Sequence, residues 1–156
     1  MSEHSGEQAG PGLMPRAVLE QRILEGIPLA TAMNFRVMEL DDTSITVCGG
    51  GNQNINVHGT AFAGSLYAVC TLAAWGLVTA RLPEGASVVM QEGAIRYRRP
   101  VIGDIVARCE LDAQTLDSFV DTVARTGRGR IQAEIIVPAE KGPAVEFMAT
   151  VHARMP

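Results

Sequence analysis

The sequence predicts an α+β fold in which an antiparallel sheet wraps one buried helix. Three observations carry this. Residues 62–80 contain no formal charge, so this run is either a membrane span or core. Its Gly64, Ser65, Thr71, Gly76 and Thr79, and its many alanines, favour a helix buried on nearly all sides over a span. The second half of the chain alternates apolar and polar residues: Ile105, Ala107, Cys109 and Leu111, then Ile131, Ala133, Ile135 and Val137, then Val145, Phe147, Ala149, Val151 and Ala153.

The elements follow in order. Residues 1–14 are expected to be a disordered tail, polar and Gly-rich through Gly12, and without the apolar core of a signal peptide. A single domain is expected over 15–156, which is long enough for a real core. Pro15 to Gly26 reads as a helix with Leu19 and Ile23 on one face, stopped by Gly26 and Pro28. It covers either a sheet edge or a groove mouth. Phe35 to Leu40 and Ser44 to Cys48 read as strands joined at Asp41-Asp42. An Asn- and Gly-rich loop follows, in which Asn52, Asn54 and Asn56 suit turns, then the central helix, which ends at Arg81-Leu82-Pro83-Glu84-Gly85. Ser87 to Arg99 reads as a strand whose alternation slips near Glu92-Gly93, the sign of a β-bulge. Ile105 to Leu111 is the next strand. Leu116, Phe119, Val120 and Val123 then keep helical spacing, with Thr115 as N-cap and Gly127 as stop. Arg130 to Val137 and Val145 to Ala153 are the last strands, separated by a turn over 138–143.

Composition excludes several functions. A net charge of −4 and 4% aromatic residues leave neither a broad basic footprint nor a base-stacking platform for nucleic acid. Cys48, Cys70 and Cys109 lack paired spacing, so they read as reduced thiols of a cytoplasmic protein rather than a zinc or disulfide framework. His4, His58 and His152 are too scattered to suggest a metal site. Neither a metal nor a separate cofactor is expected.

The start of the central helix is where chemistry is expected. The first N–H groups of a helix have no partner within it and sit at the positive end of its dipole. Gly59, Ala63 and Gly64 are small enough to let another group approach the backbone, so a developing oxyanion could rest there. Alternatively, Thr60 and Ser65 simply cap and pack the helix start. Arg96, Arg98 and Arg99 form a local basic cluster: either a seat for phosphate groups or a solvated strand edge.

Asn56, Gly59, Thr60, Phe62, Ala63, Gly64, Ser65, Leu66, Tyr67, Ala68, Trp75 and Gly76 together resemble the signature of hotdog-fold thioesterases. Closer still is the resemblance to the YiiD C-terminal putative thioesterase family. The strand and turn over 95–104 extend it, and it covers most of the chain from Phe35 onward. It implies a hotdog fold, an acyl-CoA or acyl-carrier thioester as substrate, coenzyme A entering only as part of that substrate, and a homodimer or dimer of dimers. It implies that the thioester carbonyl meets the helix N-terminus near Ala63 and Gly64, that Asn56 supports the thioester or a water, and that CoA phosphates meet Arg96, Arg98 and Arg99.

The chain departs from the hotdog pattern. Thr71 stands where an Asp often acts, Phe62 replaces a His, and Ala63 replaces the first Gly of a pair. Thr71 can hold a water but cannot take its proton as a carboxylate does. His58 is either the missing base or a loop hydrogen-bonder, and Glu92 could approach from its strand. Ser65 as nucleophile lacks a Gly-x-Ser-x-Gly elbow. Three classes therefore stay open: a thioester hydrolase, a non-catalytic acyl-CoA or acyl-carrier binding module, and a dehydratase or isomerase of the same fold. The last is weakened by the absence of an acid on the helix.

Overall fold

The structure is a computed structural model that describes residues 12–156. Most of the expected tail therefore lies outside the described residues. Its last part does not hang free: Leu13 and Met14 pack against the core, and the Met14 N–H donates to the Ala80 carbonyl at 2.9 Å. The described elements are α1 (Arg16–Gly26), α2 (Pro28–Ala32), β1 (Phe35–Leu40), β2 (Ser44–Gly49), a 3-10 turn (Gly51–Gln53), α3 (Ala63–Arg81), β3 (Ser87–Tyr97), β4 (Ile105–Glu110), α4 (Ala113–Thr126), β5 (Arg128–Ala139) and β6 (Gly142–Arg154).

All strand pairs are antiparallel, in the order β1-β2-β4-β5-β6-β3. This six-stranded sheet curves around α3, the hotdog arrangement. Helix α3 lies against β2 to β6 and buries eleven of its nineteen residues, Leu66, Val69, Cys70 and Leu77 among them. Its small residues permit that fit: a side chain at Gly76 would come within 3.1 Å of Ile45 Cδ1. Among the described residues α3 is the one helix long and apolar enough to cross a bilayer, and the sheet covers it instead.

The sheet's inner face is the apolar set the alternation marks out. Ile105, Ala107 and Cys109 on β4, Ile131, Ala133 and Ile135 on β5, and Val145, Phe147 and Val151 on β6 are all buried. These faces are covered within one chain, by α3 and α4, so they do not themselves demand a second copy. Burial also pushes the Cys70 and Cys109 thiols up to about 12, which keeps them protonated and unreactive.

Several boundaries differ from the sequence expectation for local reasons. The chain resumes helix at Pro28 as α2, because proline suits a first helical turn as well as it ends the preceding one. The α4 cap is Asp112, whose carboxylate accepts from the Thr115 N–H at 3.0 Å. The bulge in β3 falls between Met90 and Glu92, one residue before the place the alternation suggests. Pro138 and Pro143 face each other across the β5–β6 hairpin rather than forming its turn. Helix α1 covers the β1 edge: Arg16 donates to the Val37 carbonyl and Glu20 accepts from the Val37 N–H, each at 2.9 Å.

Candidate active site

The loop before α3 is tied at both ends. Asn54 is buried, its amide donates to the Met33 carbonyl at 2.9 Å, and its own carbonyl accepts from the Phe62 N–H at 2.7 Å. The Ala61 N–H donates to the Val101 carbonyl at 2.8 Å. Gly51 lies so close to the backbone of Gly103 that a Cβ there would sit 2.7 Å from the Gly103 carbonyl carbon. The Gly51 N–H donates to Asp104 at 2.8 Å. Gly59 has φ +77°, a left-handed turn conformation that favours glycine, with open space around its missing side chain. The turn therefore needs Gly59; close approach of a ligand does not.

Asn56 is the tie within the loop. Its Oδ1 accepts from the His58 and Thr60 N–H groups at 2.8 and 3.2 Å, and its Nδ2 donates to Thr60 Oγ1 at 2.9 Å. Its amide is thus engaged in holding residues 56–60, not aimed at a free ligand position.

Helix α3 begins after Phe62, and no side chain caps it. The N–H groups of Ala63, Gly64 and Ser65 come too early for intrahelical partners. Beside this start is an open recess of about 320 Å³, lined by Asn56, Thr60 and Ala63, by Tyr97 at the end of β3, and by Arg98 and Arg99. The Phe62 ring lies over Gly64: a Cβ there would sit 2.5 Å from the ring, so Ala63, not Gly64, faces the recess. Tyr97 donates from Oη to the Ala63 carbonyl at 2.9 Å and fixes the helix start against β3. Burial raises its phenol pKa, which keeps that donor protonated.

The sequence candidates separate in space. Ala63, Asn56, Arg98 and Arg99 meet at the recess. The Arg98 and Arg99 N–H groups both donate to the Ala144 carbonyl, at 2.8 and 3.1 Å. Arg98 Nε also pairs with Glu146 at 2.8 Å. Arg96 does not join them. Tyr97 reaches α3, so by strand alternation its neighbour Arg96 stands on the sheet's outer face. Glu92 stands on the outer face too, since a side chain at the next residue, Gly93, would strike Tyr67 and Phe147 on the inner side. His58 is exposed and Ser65 half-buried, and neither lines the recess. Thr71 shares the helical face of Gly64, about 10 Å further along by the helical rise. Its hydroxyl is buried without a hydrogen-bond partner.

Sequence reasoning missed Asn54, Tyr97 and Asp104. Tyr97 carried a readable signal, because it shares the alternation of Ile95 and so had to face the helix. Asn54 carried none: its burial depends on Met33, twenty-one residues away.

The sheet, its central helix and the open helix start define a thioesterase-type hotdog protein. The family model described as Putative thioesterase (yiiD_Cterm) matches residues 16–152, and the chain belongs to that family. It is similar to a solved protein of unknown function from Chlorobaculum tepidum TLS, with 28% identity, TM-score 0.84, and coverage of 93% of this chain and 99% of that one. It also shares its fold with a Pseudomonas aeruginosa protein described as a probable thioesterase (22% identity, TM-score 0.79, 91% and 97% of the two chains). A putative thioesterase from Shewanella oneidensis is alike in the same way (23%, TM-score 0.76, 90% and 97%).

Proposed function

We propose that the chain hydrolyses an acyl-CoA or acyl-carrier thioester at the start of α3. The observation that carries this is the uncapped helix start opening beside a recess that also holds two arginines. A thioester oxygen on the Ala63 N–H would gain charge in the transition state where the helix dipole and a free donor favour it. Arg98 and Arg99 would seat the phosphates of the CoA carrier, and Thr71, about 10 Å along the helix by its rise, would hold a water out of reach of a carbonyl on Ala63 of the same chain. Asn56 acts through the loop rather than on the substrate.

A non-catalytic binding module is the second reading, and one observation favours it. Among the described residues no carboxylate lines the recess, and residues 62–80 contain none. A base must then come from outside this chain's own recess. Strand β3 offers a source, because it is a free sheet edge eleven residues long. Near it Ile102, Phe62 and Tyr97 are exposed. An open edge flanked by apolar side chains invites pairing with a second copy. We expect a homodimer paired through β3, and a stable monomer in sedimentation at micromolar concentration would contradict it.

The test is turnover of acyl-CoAs of several chain lengths by the full chain and by Arg98→Ala/Arg99→Ala. The wild type should release free CoA. The variant should raise KM, with the difference widest at low salt, where exposed charges are least screened. Binding without release in the wild type would favour the module. An unchanged KM would leave the arginines as a solvated edge.

A further inference from the structure

A second cationic recess lies on the other side of the sheet. Arg128 and Arg130 on β5 alternate with the buried Ile131, and His152 and Arg154 on β6 alternate with the buried Val151 and Ala153. All four side chains therefore project from the outer face. The register sets two arginines face to face, Arg128 opposite Arg154, and places Arg130 opposite His152. Like charges directly across a strand pair destabilise it. Among the described residues none of the four is within ion-pairing distance of a carboxylate. Glu92, opposite Thr150 in the adjoining row, pairs with none of them.

The β3 bulge adds an independent observation. The extra residue between Met90 and Glu92 is Gln91, and it lines a recess of about 310 Å³ with Arg128, Gly129, Arg130 and His152. Bulges re-aim side chains next to functional sites. Here the bulge adds an amide, which can donate, to a set of guanidinium donors.

We infer that this recess binds a phosphate-bearing small molecule, either a free diphosphate or a phosphate ester. Guanidinium groups match phosphate oxygens with paired N–H donors, and two arginines on adjacent rows suit two linked phosphates. A bound anion also relieves the repulsion that the register builds in. The inference is independent of the thioester reading, because the recess lies on the face of the sheet turned away from α3.

Calorimetric titration with sodium pyrophosphate tests it. The background is Arg98→Ala/Arg99→Ala, so that the recess beside α3 contributes nothing. Saturable binding at one site per chain is expected, with at least a tenfold loss of affinity in Arg128→Gln/Arg130→Gln, and at least a tenfold preference over sulfate. Pyrophosphate should raise the melting temperature of the parent and not of the variant. Tighter binding of ADP or CoA than of pyrophosphate identifies a phosphate ester as the ligand; the reverse identifies the free anion. Should the double variant fold poorly, Arg130→Gln alone is read in the same way. No saturable binding, equal affinity for sulfate, or undiminished binding in the glutamine variants would overturn the inference.

Discussion

Asn56→Ala is expected to lower acyl-thioester turnover about a hundredfold, the scale on which a small misplacement of a reacting group acts. The side chain holds the His58 and Thr60 N–H groups and the Thr60 hydroxyl, and Thr60 lines the recess beside the helix start. Removing it frees the loop without opening the core. Global stability should fall by about 1–3 kcal/mol, since three part-exposed hydrogen bonds are lost at about 0.5–1.5 kcal/mol each at most. Hydrogen exchange should quicken over residues 56–60 alone. Asn56→Asp separates this role from a direct one. A carboxylate keeps both backbone bonds, so most of the rate should return. An inactive Asn56→Asp with a protected loop would show instead that the Nδ2 donor touches the substrate.

The largest stability effect is expected at Phe147. Its side chain is fully buried at the point where β6, β3 and α3 meet. Its ring stands edge-on to Tyr67, with centroids 5.0 Å apart at 85°. Gly93 has no side chain where one would strike the Tyr67 hydroxyl and the Phe147 ring. Phe147→Ala should cost about 3–5 kcal/mol, from lost transfer energy and the cavity left behind. It also removes the surface that orients Tyr67 one turn into α3. Chemical denaturation should show a lower midpoint with an unchanged slope. A loss below about 1 kcal/mol would mean that Tyr67 and its neighbours collapse into the space.

The strands and central helix were legible because period-two alternation and a long uncharged run are local properties. Ile131 to Val137 and Val145 to Ala153 show their buried faces in the residues themselves. The family was legible because its signature lies in one contiguous stretch, Asn56 to Gly76. The split of the arginine cluster was half legible: alternation puts Arg96 and Tyr97 on opposite faces, but only the end of β3 after Tyr97 brings Arg98 and Arg99 to the recess. The substrate role of Asn56 rests on the resemblance, while its turn-forming role is the one its hydrogen bonds show. Its partner four residues on, Thr60, is reached only once Gly59 turns the chain back. The covering of β4 and β6 by α3, and of β5 by α3 and α4, was likewise invisible, since it depends on how tightly an alanine-rich helix nests in the sheet.

Steady-state kinetics of Ala63→Pro tests whether the thioester oxygen rests on the Ala63 N–H. Ala63 is the first residue of α3, a position where proline is favoured and where its missing N–H breaks no helical bond. Phe62 before it already has φ −69° and ψ 133°, the extended conformation that a following proline requires. The substitution therefore deletes one donor and leaves the helix in place, with the melting temperature unchanged or raised. If the thioester oxygen rests on this N–H, kcat should fall about 10²–10³-fold, as removal of a preorganised donor commonly does, with KM little altered. Full turnover in Ala63→Pro would place the carbonyl elsewhere.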